Sequence, residues 1–239
     1  MYDKLNKNAL EERMTEIIVR SLQSGERLPS EKQLAADLGV SRATVREMLS
    51  AFEASGTVVA SQGSGRVVQL PDVSGQIADG WTILMRAKPA MLLELLEIRA
   101  VLEIGFLPKA IERLDAEHLR QLFELARQMK RKAENGEDFV REDREFHRIL
   151  FSNSGNVLLE QLLKAFWELY NRSEIERQHG NLKEMALIHE KMVEAIAKQN
   201  TEQAVTLMKE QFADARYRVL MSLQSPACES ERRKSANED

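Results

Sequence analysis

The chain reads as mainly α in two parts: a small N-terminal domain of three helices and a two-stranded hairpin, then an all-α bundle of about seven helices. Three observations predict this. From about residue 76 to 223 apolar residues recur at helical spacing, with no strand-like alternation. The strand-like runs Thr57–Ser61 and Arg66–Leu70 flank the turn Gln62-Gly63-Ser64-Gly65 and read as one hairpin. The remaining punctuation is that of helix ends: capping residues, glycines and prolines.

In order, an amphipathic helix is expected from about Leu5 to Ser24, with Leu10, Met14, Ile17, Ile18 and Leu22 on one face. Ser30 and Gln33 form an S-x-x-Q capping box opening a short helix to Leu38, which turns Leu34, Ala35 and Leu38 inward. Gly39-Val40-Ser41 makes a tight turn. The glycine can be left-handed, Val40 can plug the core and Ser41 can cap the next helix. In that helix Val45, Leu49 and Phe52 point one way, which leaves Arg42, Thr44 and Arg46 near its exposed N-terminal end. After Gly56 comes the hairpin, a wing of two strands.

Residues 1–70 therefore form the first domain, Pro71-Asp-Val-Ser-Gly75 a linker, and 76–223 the bundle. Its helices are expected at about 76–87, 89–107, 115–134, 137–152, 156–179, 182–199 and 201–223. Pro89 and Pro108 mark boundaries, Asp115 is a cap, and Asn135-Gly136 is a stop. Gly155-Asn156 is a stop followed by a cap, Gly180-Asn181 a stop, and Asn200-Thr201 a start. Stripes such as Leu158, Leu159, Leu162, Leu163, Phe166, Trp167 and Tyr170 fit helices that bury one broad face. Residues 224–239 are polar and mixed in charge, and are expected to be a disordered tail.

With 239 residues, a formal charge of −4, 30% charged and 43% hydrophobic residues, the chain fits a soluble protein able to bury a real core. Its one cysteine, Cys228 in the polar tail, rules out an internal disulfide framework and fits a reducing compartment. No apolar run follows a basic start, so no signal peptide is expected. The densest apolar stretch, Met91 to Ile98, is broken by Glu94 and Glu97, which excludes a membrane span and predicts a cytoplasmic protein. Residues 1–70 hold as many acids as bases, so composition alone does not point to nucleic acid.

The order of residues does. Gly25-Glu-Arg-Leu-Pro-Ser-Glu31, the run Leu34 to Glu47, Gly56 and Gly63-Ser-Gly65 together resemble the winged helix-turn-helix of the GntR superfamily of bacterial transcription regulators. The resemblance implies double-stranded operator DNA as partner, with contacts from Lys32, Arg42, Thr44, Arg46 and the wing glycine Gly63. Arginines at the start of a recognition helix can pair with guanine O6 and N7. Read without the family, Arg42 and Arg46 could equally be surface arginines paired with Glu47 or Asp37.

In the second half, Asp143 and His147 stand four apart, stacked on one helix face, so that both can donate to one cation. Phe146 precedes His147, Ser154-Gly155-Asn156 follows it, and His189 and Met208-Lys-Glu-Gln211-Phe212 come later. This arrangement resembles the FCD ligand-binding domain of the FadR-like branch of the superfamily, in its longer, seven-helix form. Many FCD domains hold a divalent metal with an aspartate and three histidines. By that resemblance Asp143, His147 and His189 are metal ligands, and the third histidine is replaced by Gln211. A glutamine oxygen is a weak ligand for zinc and tolerable for manganese or nickel. Three readings stay open: a metal held by Asp143, His147, His189 and waters; Gln211 bonding the effector directly; or no metal, with the histidines as effector donors. His147 and His189 could also be buried, hydrogen-bonded core residues. His118 and His179 read as surface residues.

Arg99 and Glu103 match an R-x-x-x-E on the first long bundle helix. Arg99 could clamp an effector carboxylate, or the two could form an intrahelical salt bridge. The family implies a homodimer, a small organic or sugar acid as effector, and repression more often than activation. Two rivals remain. A metal-dependent helical-bundle enzyme would need paired Glu-x-x-His motifs, which the sequence lacks. A constitutive DNA-binding protein would use the bundle only to dimerise.

Overall fold

The computed structural model describes residues 2–61, 65–172 and 181–224. Among them are ten helices and two strands. The chain divides into two compact units, Met1–Gln76 and Ile77–Asp239.

In the first unit, α1 (Tyr2–Ser24), α2 (Glu31–Leu38) and α3 (Arg42–Ala54) precede the antiparallel strands β1 (Val58–Ser61) and β2 (Gly65–Val68), paired Val58 to Val68 and Ser61 to Gly65. Ser30 opens α2 by accepting the Gln33 N–H at 3.3 Å, and Ser41 opens α3 by accepting that of Thr44 at 3.1 Å. Between them Gly39, at φ 68°, lets the backbone reverse. Its N–H and that of Val40 return to the Ala36 and Ala35 carbonyls, so the carbonyls at the end of α2 stay paired. Met14, Ile18, Leu34, Leu38, Val45, Leu49 and Val58 close a small core of their own, each at most 4% exposed. Each such side chain contributes about 1.5–3 kcal/mol by leaving water.

The second unit takes in α4 (Ser74–Ala87) from Ile77 on, α5 (Met91–Ile111), α6 (Ala116–Glu134), α7 (Val140–Phe151), α8 (Val157–Arg172), α9 (Leu182–Ala197) and α10 (Thr201–Gln224). Helix α10 packs on α5 and α9, α9 on α6, and α6 on α7; α8 lies against α5 and α7. Side-chain caps open α6, α8, α9 and α10, from Asp115, Asn156, Asn181 and Asn200 respectively. The core is built on Leu107, Leu122, Met129, Phe146, Leu163, Phe166, Met192 and Met208, all completely buried.

Two helix ends in the bundle differ from those read in the sequence. Pro108 lies inside α5, not at its boundary. The helix gives up one backbone bond there and continues because Ala110 and Ile111, in the next turn, are buried. Helix α7 begins at Val140 rather than 137, because Gly136 at φ 75° ends α6 and Glu137 N–H turns back to the Lys132 carbonyl. Helix α8 is described as far as Arg172; the stretch expected to continue it to 179, with His179, lies outside the described residues, as do Gly63 and the tail beyond Gln224. No helix among the described residues is long and apolar enough to cross a membrane.

Candidate functional site

Four side chains from three helices converge inside the second unit. Asp143 and His147 come from α7, His189 from α9 and Gln211 from α10. The i,i+4 spacing on α7 puts the first two on one face, and the contact of α10 with α9 carries Gln211 to them. Both histidines are 0% exposed and Gln211 is 8% exposed, whereas the Asp143 side chain keeps 21% of its surface in solvent. Asp143 Oδ1 lies 2.8 Å from His189 Nε2 and 3.9 Å from His147 Nε2. Among the described residues, Asp143, His147 and His189 form a group whose ligand atoms all lie within 4.8 Å of one another.

The far side of each imidazole is fixed. His189 Nδ1 sits 2.9 Å from the Met185 carbonyl, which can only accept, so this nitrogen carries a proton. His147 Nδ1 lies 2.5 Å from Glu103 Oε2. Burial alone would raise the Glu103 pKa, but Arg99 and His147 outweigh it and hold the group below its ordinary value, as a carboxylate. His189 Nδ1 is hydrogen-bonded, His147 Nδ1 is in ion-pair contact with Glu103 without hydrogen-bond alignment, and a neutral ring so placed presents its Nε2 lone pair toward Asp143. This is the arrangement in which outer partners orient histidine ligands on a metal. A neutral His189 would set a lone pair against a carboxylate oxygen at 2.8 Å, a repulsion that a cation between them removes. Asp143 is also held ionised. With the imidazoles protonated, desolvation would raise its pKa, yet a hydrogen bond from His189 and the charges of His147, His189 and Arg99 keep it well below the carboxylate range.

Two nitrogens and one carboxylate oxygen suit a divalent ion such as zinc, nickel or manganese. Gln211 modifies this set. Its Nε2 stands 3.1 Å from Asp143 Oδ1, 2.7 Å from His147 Nε2 and 3.2 Å from His189 Nε2, while its buried Oε1 has no hydrogen-bond partner among the described residues.

Arg99 and Glu103, left open between clamp and ion pair by the sequence, do form the intrahelical pair, Nε to Oε1 at 2.7 Å. It is a buried one, with side chains 7% and 0% exposed, and the Arg99 guanidinium lies over the Phe212 ring at 5.5 Å. Glu103 thereby links Arg99 to a candidate ligand, a role the sequence did not disclose because 44 residues separate it from His147. His118 is 25% exposed in its side chain and pairs with Asp115 at the start of α6. On its other face α7 lines an open groove of about 610 Å³ with Arg141, Glu145 and Arg148, across from Trp167 of α8 and apart from the candidate ligands.

In the first unit Lys32, Arg42 and Arg46 are exposed and Thr44 is half-buried, its hydroxyl 3.0 Å from that of Ser41. Arg46 is paired, though with neither Glu47 nor Asp37. Its Nε donates to Glu31 Oε2 at 2.7 Å, and the other Glu31 oxygen receives Arg66 of the wing at 3.1 Å. Arg66 also reaches Glu53 at 2.7 Å, and the Glu31 carboxylate from α2 ties α3 to β2. The pairing with Arg46 and Arg66 holds Glu31 below its ordinary pKa.

Residues 6–68 match the family described as bacterial regulatory proteins, gntR family, and residues 94–214 match the FCD domain. The chain is 25% identical over 226 residues to the HTH-type transcriptional regulator YcbG of Bacillus subtilis, covering 92% of this chain and 94% of that one. It is 29% identical over 211 residues to the HTH-type transcriptional repressor NanR of Cronobacter sakazakii, covering 84% and 80%. A solved structure of Streptococcus agalactiae GntR shares the fold at TM-score 0.62 and 23% identity, over 87% of this chain and 98% of that one. A gntR-type DNA-binding domain followed by an FCD domain over half of the sequence fixes the assignment: the chain belongs to the FCD-containing GntR family of bacterial transcriptional regulators.

Proposed function

We propose that the protein is an effector-responsive repressor. As a homodimer in the cytoplasm it binds a near-palindromic operator and lets go when a small organic or sugar acid enters the helical domain. The observation that carries this reading is the convergence of Asp143, His147 and His189, with their outer partners, in the domain that does not resemble a DNA reader. Repression is supported by the kind of relative the chain has, NanR being named a repressor.

Asp143, His147 and His189 would hold the ion, which when bound supplies a Lewis-acidic point for a carboxylate to chelate. The remaining work belongs to the chain. Glu103 and the Met185 carbonyl keep the two imidazoles turned inward, and Arg99 supplies a fixed positive charge felt at Asp143. Asp143, the most exposed of the four, marks the side from which an effector would approach. On DNA, Arg42 and Arg46 would read bases, Thr44 would add a contact beside them, and Lys32 and the wing with Gly63 would supply phosphate or minor-groove contacts. An effector changes operator affinity only by binding one arrangement of the two units better than another, and α4, which continues the chain from one to the other, is the natural lever.

The test is a titration of the full chain on an operator duplex recovered by selection from random DNA, with chelating carboxylates added singly. Release by one of them supports the reading. Operator binding that no carboxylate alters identifies instead a constitutive binder with a structural bundle.

A further inference from the structure

We propose that Gln211 is a built-in competitor for the metal: in the ion-free chain its carboxamide N–H group fills the cation's place, and uptake of an ion requires that amide to move. The inference rests on the reading of Asp143, His147 and His189 as metal ligands.

The geometry carries it. Gln211 Nε2 is within 2.7–3.2 Å of all three donor atoms, Asp143 Oδ1, His147 Nε2 and His189 Nε2. An amide NH₂ has two hydrogens, one for the Asp143 carboxylate and one for the His147 Nε2 lone pair, and His189 Nε2 borders the same position. The reverse orientation would place Oε1 against the Asp143 carboxylate, which can only accept. The amide has therefore spent its nitrogen on the ligands and left Oε1 buried with no partner among the described residues. A residue in this position cannot stay there once an ion sits among the same atoms. To turn its oxygen inward as a ligand, the amide must first give up these contacts. Its net effect is competition, which makes occupancy follow the supply of metal.

The experiment is calorimetric titration of Zn²⁺ into chelator-stripped full-length wild type, Gln211→Ala and His189→Ala. Gln211→Ala is expected to bind at least about tenfold more tightly than wild type, about 1.4 kcal/mol, and His189→Ala more weakly. Affinity of Gln211→Ala equal to or below that of wild type overturns the competitor while leaving the metal site standing. No binding by any of the three overturns both. Should the alanine variant not fold, the side-chain amide spectrum of ¹⁵N-labelled wild type decides. One glutamine NH₂ pair protected from solvent exchange without ion and released on adding Zn²⁺ supports the proposal. A full set of glutamine amides indifferent to Zn²⁺ overturns it.

Discussion

Glu103 Oε2 lies 2.5 Å from His147 Nδ1, both side chains fully buried, so the carboxylate of α5 is in ion-pair contact with an imidazole on α7. Its other oxygen accepts from Arg99. Glu103→Gln keeps the shape but weakens this hold, and a lost outer partner commonly costs about 10–100-fold in metal affinity. Calorimetric titration of Zn²⁺ should read a loss of that size. Glu103→Ala goes further, leaving Arg99 buried without its carboxylate. It should destabilise the chain by about 3–5 kcal/mol, read by denaturant unfolding.

On the DNA side, Arg46→Ala should weaken operator binding by about 1–3 kcal/mol and relax the preference at one base position. Lys32→Ala should weaken all sequences alike and lower the slope of log affinity on log salt by about one. Gel-shift titrations over a salt series on operator and scrambled duplexes check both. An Arg46→Ala protein that binds like wild type removes α3 as the reading helix.

Glu31 makes a pH prediction. Its pKa in the folded chain is lowered by Arg46 and Arg66 from the ordinary 4.5, so its pairing stabilises the first unit fully above 4.5. That contribution is lost as pH falls from 4.5 through the lower, folded value. Glu31→Gln has no such titration. Melting temperatures followed below pH 4.5 should fall more steeply for wild type than for the variant.

Gln199 closes α9 in the left-handed region at φ 55°, with its N–H on the Ile196 carbonyl and that of Asn200 on Ala195. A side chain with a Cβ costs about 1–2 kcal/mol there. Gln199→Gly should therefore raise stability by up to about 1 kcal/mol, the glycine's greater freedom in the unfolded chain offsetting part of the gain. A denaturant midpoint shifted upward without change of slope is the expected result.

Local chemistry was legible in the sequence wherever a few neighbouring residues decide the outcome. Ser30, Ser41, Asp115 and Asn200 each cap the helix they precede, and Gly39 takes the left-handed turn expected of it. Pro108 misled because burial of Ala110 and Ile111, a tertiary effect, outweighs one missing hydrogen bond. The pairing of Asp143 with His147 follows from helical spacing, but that His189 and Gln211 reach them depends on how α9 and α10 pack. Glu31 as the tie between Arg46 and Arg66 was hidden for the same reason. Charges 15 and 35 residues away meet only once α2, α3 and the wing are folded.

The most direct test of the account is operator release by a chelating carboxylate, measured on the full chain with and without bound divalent metal, in wild type and His189→Ala. The account predicts release from the metal-loaded wild type at carboxylate concentrations that leave the stripped protein and His189→Ala on the DNA. Release that is equally strong in all three would contradict it, and would move effector recognition away from Asp143, His147 and His189.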